Sequence, residues 1–218
     1  MKYLLPFLCL LTCLTGFAQS DTHSRPVTHV YGGLDYAWMR LSFTNAAGTP
    51  YNPNANVTHA AAPGVHAGVE VLGERKHWDL GLFAEVGFIG RATYKEHEVY
   101  ASGEYDYTLQ QEAIQASLGF HYAFYKTRGF RAYALLPVCV NRSFYPVNRV
   151  TINPYAGGGV SERDDAVSLR TTWVLVDAGL GVECWNRIRV EAMTTVGRFT
   201  GGDAGSLRQN MARIAYRF

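Results

Sequence analysis

Residues 78–94 alternate without a break: Trp78, Leu80, Leu82, Ala84, Val86 and Phe88 share one parity, while Asp79, Gly81, Phe83, Glu85, Gly87, Ile89 and Arg91 share the other. Side chains of a strand point to opposite faces in turn, so this segment folds as a strand with one continuous apolar face and one mixed face of small and charged residues. Its length is the constraint. At about fifteen residues it exceeds the five or six of an ordinary soluble strand, whereas a tilted strand crossing hydrocarbon needs about nine to eleven. A long strand with a dry face and a charged face suits the wall of a membrane barrel.

The pattern recurs around residues 30–41, 65–72, 114–122, 174–183, 188–193 and 212–218, and less cleanly over 130–142, where Pro137 predicts weakened pairing or a bulge. That makes eight strands. The connections alternate in length: 42–62 long, 73–77 short, 95–105 long, 126–129 short, 143–166 long, 185–187 short and 200–207 intermediate. Antiparallel strands with short turns at one end and long loops at the other are the organisation of outer-membrane barrels. The expected fold is all-β: an eight-stranded antiparallel transmembrane barrel with short periplasmic turns and longer extracellular loops.

Residues 1–18 read as a cleaved secretory signal, with Lys2 before an apolar run and small residues at Gly16 and Ala18. The barrel domain is then 19–218. Two of the four cysteines, Cys9 and Cys13, leave with the signal; Cys139 and Cys184 remain, too few for a disulfide scaffold. With 20 Lys and Arg against 18 Asp and Glu there is no basic excess to hold a nucleic acid.

Taken together, the chain resembles the small eight-stranded outer-membrane β-barrels of the OmpA/OmpX architecture. More narrowly, it resembles the outer membrane beta-barrel domain family of Bacteroidetes that includes PorT-like proteins. The resemblance rests on the Ala18-Gln19 junction, the strand Asp177-Ala-Gly-Leu-Gly-Val-Glu183 and the terminal Ile214-Ala-Tyr-Arg-Phe218. It implies outer-membrane localisation, the lipid bilayer and the outer-membrane assembly machinery as partners, a monomer, and Phe218 as the assembly signal. It implies no particular activity, because one fold hosts many functions.

On this reading Asp35, Glu70, Asp79, Glu85, Arg91, Asp177, Glu183, Arg189, Glu191, Arg213 and Arg217 form an interior polar network. Isolated charges in a narrow lumen would each cost several kcal/mol, so they must pair, and an eight-stranded barrel holds little beyond its own side chains. An open porin is disfavoured. Trp38 and Tyr94 are expected at one membrane interface and Trp78, Tyr122, Trp185 and Phe218 at the other, with Tyr216 a further interface aromatic.

Catalytic and phosphate-binding motifs are lacking, and the seven histidines are scattered, so no cofactor or metal is expected. The alternatives are a barrel enzyme acting on lipid A or phospholipid, and a soluble lipocalin-like barrel with the apolar parity inside. The pair Ser117 and His121, four residues apart on one strand, would lie about 13 Å apart, too far for a nucleophile and its base. A structural role, or binding through loops 42–62 and 143–166, is the expected function.

Overall fold

The computed structural model describes residues 26–42, 59–74, 79–155, 159–164, 170–199 and 206–218. The expected signal segment 1–18, Trp78 and most of loop 42–62 lie outside these residues. Nine strands are described: β1 (Val27–Ser42), β2 (His59–Glu74), β3 (Asp79–Tyr100), β4 (Gly103–Thr127), β5 (Phe130–Pro154), β6 (Ser161–Asp164), β7 (Arg170–Cys184), β8 (Ile188–Phe199) and β9 (Ser206–Arg217).

Eight of them close a ring. Each of β1 to β4 pairs antiparallel with its successor, β5 pairs with β7, and β7, β8 and β9 follow in order. Pairing of β9 with β1, from Tyr31↔Arg217 to Ser42↔Ser206, completes the wall. The apolar parity faces outward, with Val86 62% and Leu180 65% exposed, while Glu70 and Glu183 on the other parity are 1% and 0% exposed. This inverts a soluble globule. A surface band so rich in valine, leucine and isoleucine is covered by lipid in a barrel of this kind, and the charged interior excludes the lipocalin-like arrangement.

The inward glycines have a packing reason. Across neighbouring strands Gly68 faces Tyr31, Gly81 faces Leu72, Gly119 faces Phe83, Gly179 faces Met193 and Gly181 faces Tyr133. Each large side chain lies over the bare backbone opposite. A Cβ at Gly181 would come within 2.5 Å of the Tyr133 ring.

Three features depart from the sequence expectation. Residues 95–105 are not a long loop, because β3 and β4 continue as a hairpin that turns at Ala101 and Ser102. Loop 143–166 is likewise largely strand, as β5 runs to Pro154 and the added ninth strand, β6, pairs with it from Arg149↔Asp164 to Ile152↔Ser161. The result is a sheet of β3, β4, β5 and β6 that projects above the ring on one side. Thirdly, the register shifts between Ile89 and Ala92. That bulge inverts the parity of everything beyond it on β3.

Pro137 keeps its pairing with Gly119 of β4, but on the other side the ladder with β7 skips from Leu135↔Gly179 to Val138↔Val176. A proline has no N–H for that ladder.

Cys139 and Cys184 are free. Cys184 pairs with Phe130 and Cys139 lies nine positions further up β5, opposite Leu175. That is roughly 30 Å along the strands, against a Cα separation of about 7 Å at most for a disulfide. Thiol titration of the denatured, unreduced monomer is expected to find both reactive; a bond between them would overturn the β5–β7 register.

Candidate functional site

The lumen is filled from strand to strand. In the layer nearest the short turns, Glu70 of β2 accepts hydrogen bonds from Arg189 of β8 and from Arg217 of β9 at 2.7 Å, with His121 Nδ1 of β4 at 3.2 Å. Glu183 of β7 meets the same two arginines, at 3.1 Å from Arg189 Nε and 2.6 Å from Arg217 Nη2. Asp79 takes Lys126 at 2.9 Å and Arg131 at 3.4 Å. The Arg189 guanidinium also lies 4.8 Å above the Tyr31 ring.

One layer up, Arg213 of β9 is the hub. Its Nε donates to Asp35 Oδ1 and its Nη2 to Glu85 Oε1, both at 2.9 Å, and Glu191 is 3.6 Å from Nη1. His66 Nδ1 is 2.7 Å from Asp35, and the hydroxyls of Tyr31 and Tyr133 donate to Glu85 and Glu191. Asp177 is buried opposite Thr195 of β8.

Above the charges lies a neutral layer. Tyr94 donates to Gln111 at 2.7 Å, Gln111 to Ser143 at 2.7 Å, and Ser143 to Asn141 at 2.8 Å, among buried Met39, Tyr145, Trp173 and Leu207.

Ten of the eleven residues expected to face inward therefore lie in the lumen, and Arg91 does not. Its side chain is 58% exposed and pairs with Glu112 on the outer surface, at 2.9 Å. Tyr94 is corrected in the opposite sense: placed at the membrane interface by parity, it is 3% exposed and points into the lumen. The bulge between Ile89 and Ala92 accounts for both. Trp38, Tyr122, Trp185 and Tyr216 are on the outer surface or in the turns. Arg131, Lys126, Tyr31 and Tyr133 were missed as network members, although the inward parity of Arg131 and Tyr133 is readable from the alternation of β5.

The lumen holds no catalytic pair of the kind weighed from the sequence. His121 is turned to Glu70 and lies tilted against Tyr133 with ring centroids 4.2 Å apart, while Ser117 faces Cys139. Among the described residues no three His, Cys, Asp or Glu side chains converge as a metal would require.

The projecting sheet has two different faces. One bears Tyr105 and Tyr107, stacked at 6.5 Å with 15° between planes. The other carries a hollow of about 570 Å³ lined by Thr93, Lys95, Thr108, Gln110 and Arg149. Near the hairpin tip His97 Nδ1 is 2.8 Å from Asp106 in open solvent, and this bond raises the histidine pKa above its usual value. A histidine raised in the fold contributes its stabilisation fully below its unfolded pKa of about 6.5 and loses it as pH rises through the folded value. The tip is expected to loosen with rising pH; amide exchange there, corrected for intrinsic rate, should speed up across that window, and His97→Gln should remove the effect.

No family model matches the chain, and no curated protein matches it. Among solved structures it is similar to Ail, the attachment invasion locus protein of Yersinia pestis, at 12% identity and a TM-score of 0.36 over 86% of this chain and 98% of that one. It is also similar to Neisserial surface protein A, at 13% identity and 0.33 over 86% and 95%. A third is the N-terminal β-barrel domain of OprF from Pseudomonas aeruginosa, at 9% identity and 0.24 over 85% and 97%. At such identities and scores the fold assignment rests on the strand pairing above.

Proposed function

We propose that the chain is an outer-membrane barrel whose role is structural or surface-binding, carried by the sheet of β3 to β6, and not the passage of solutes. The carrying observation is the lumen, where arginine, carboxylate and tyrosine side chains, joined by His121 and Lys126 of β4, interlock under a neutral layer. Any open path for a solute would need these contacts broken, at several kcal/mol for each buried ion left unpaired. Binding specificity belongs on segments held out from a rigid scaffold, and the projecting sheet is such a segment. In this reading the short turns are periplasmic, the sheet is outside the cell, Phe218 is read by the assembly machinery, and the narrower PorT-like resemblance rests on the residues quoted above. The test uses a Val99→Cys variant, since Val99 is exposed on the β3 extension. Intact cells should react at this position with a membrane-impermeant thiol reagent, and the purified protein should give no steady conductance in planar bilayers. Labelling only after cell rupture, or a stable channel, would sink the reading.

A further inference from the structure

The outer surface changes character sharply at the loop end of the apolar band. On β1 the outward series Leu34, Tyr36, Trp38 ends at Arg40, and Arg40 is paired in register with Arg208 of β9 on one side and His59 of β2 on the other. All three side chains are exposed. Like charges directly opposite one another in a sheet repel, so this seam carries a built-in cost.

The same level is cationic on the far side of the barrel. The hydrogen-bonded row from Leu34 runs through Val65, Phe88 and Ile114 to Arg142, then to Thr172. With strands about 4.8 Å apart and tilted by about 40°, such a row climbs roughly 3 Å at each step. Four steps bring Arg142 close to the level of Arg40, and Arg170 stands just above it, opposite Phe144. Both are exposed and outward.

Among the described residues, no carboxylate pairs with Arg40, Arg208, Arg142 or Arg170. Arg91, at a similar level, shows the alternative by holding Glu112. The connections 43–58 and 200–205, which flank the Arg40 seam, contain a single carboxylate between them, Asp203. Four arginines with no carboxylate partner among the described residues therefore ring the barrel where, in the membrane reading, hydrocarbon gives way to headgroups.

We propose that this collar docks phosphate-bearing lipids of the surrounding leaflet. Guanidinium groups bind phosphate through paired, charge-assisted hydrogen bonds, and the acyl chains of such a lipid would lie along the valine and leucine band directly below. The Arg40–Arg208 pair is then held together by the anion between them. This inference rests on the membrane-barrel reading above.

The test folds the protein into vesicles of phosphatidylcholine alone and of an equal mixture of phosphatidylcholine and phosphatidylglycerol, extracts it, and counts retained lipids by native mass spectrometry. Each arginine beside an anionic surface is worth roughly fivefold in binding, so Arg40→Gln with Arg208→Gln should lower retained phosphatidylglycerol by roughly 25-fold. In uncharged detergent the double variant should melt no lower than the wild type, because a repulsion has been removed. Insertion failing in both vesicle types would overturn the membrane-barrel reading itself. Normal insertion with no preference for phosphatidylglycerol, or with equal retention by the variant, overturns the collar alone, as does a variant that melts lower in uncharged detergent.

Discussion

Glu70→Ala is expected to be the most damaging single substitution in the lumen, lowering stability by about 3–5 kcal/mol. Glu70 is fully enclosed and is shared by Arg189, Arg217 and His121. Removing it leaves two buried guanidinium groups leaning on Glu183 alone, in a space too narrow to hydrate them well. The loss comes mainly from the stranded arginines, so a triple change that also makes Arg189 and Arg217 apolar should recover part of it. Urea unfolding of the bilayer-inserted protein, followed by tryptophan fluorescence, measures the difference; a loss of less than about 1 kcal/mol would place Glu70 among ordinary surface-like ion pairs.

Gly181→Leu is the second large effect. The three atoms nearest to a Cβ at this position all belong to the Tyr133 side chain, whose hydroxyl is held by Glu191. A leucine there drives the ring off Glu191, for a loss of about 1–3 kcal/mol from overpacking and more from the broken bond. Tyr133→Ala vacates the same space, so the double variant should be less destabilised than the two single losses together. A coupling of about 0.5–3 kcal/mol is expected. Strict additivity in that double-mutant cycle would show that the ring and the glycine do not share one volume.

How much of this was readable beforehand follows from what sets each feature. Strand parity is local: a residue and its second neighbour share a face whatever the register, so Asp35, Glu70, Glu183, Arg213 and the rest of the inward set were visible in the sequence. A bulge breaks that rule from one point onward. Gly90 was the sole cue at that point, and a glycine in a strand signals a bulge too weakly to have redirected Arg91 and Tyr94. The extensions of β3, β4 and β5 were missed for another reason. Above the bilayer neither face needs to be apolar, so Lys95-Glu-His-Glu98 alternates nothing that a hydropathy pattern detects. The partners of each charge were unreadable because they depend on stagger around the closed ring. Arg213 meets Glu85 128 residues away, which no spacing along the chain announces.

The way these charges are shared has a bearing on the order in which the protein comes together. Seven acidic side chains, from β1, β2, β3, β7 and β8, point to the axis, and two of the arginines that meet them arrive only with β9, the last of the described strands. Arg213 brings together Asp35 and Glu85, and Arg217 brings together Glu70 and Glu183. An unfinished sheet, still missing its final strand, would carry an excess of negative charge along the surface destined for the axis and would be poorly received by hydrocarbon. Zipping β9 against β1 thus does two things in a single event: it removes the last free edges of the sheet and neutralises the acids of its interior. Commitment to the membrane and closure of the ring are tied to the same step.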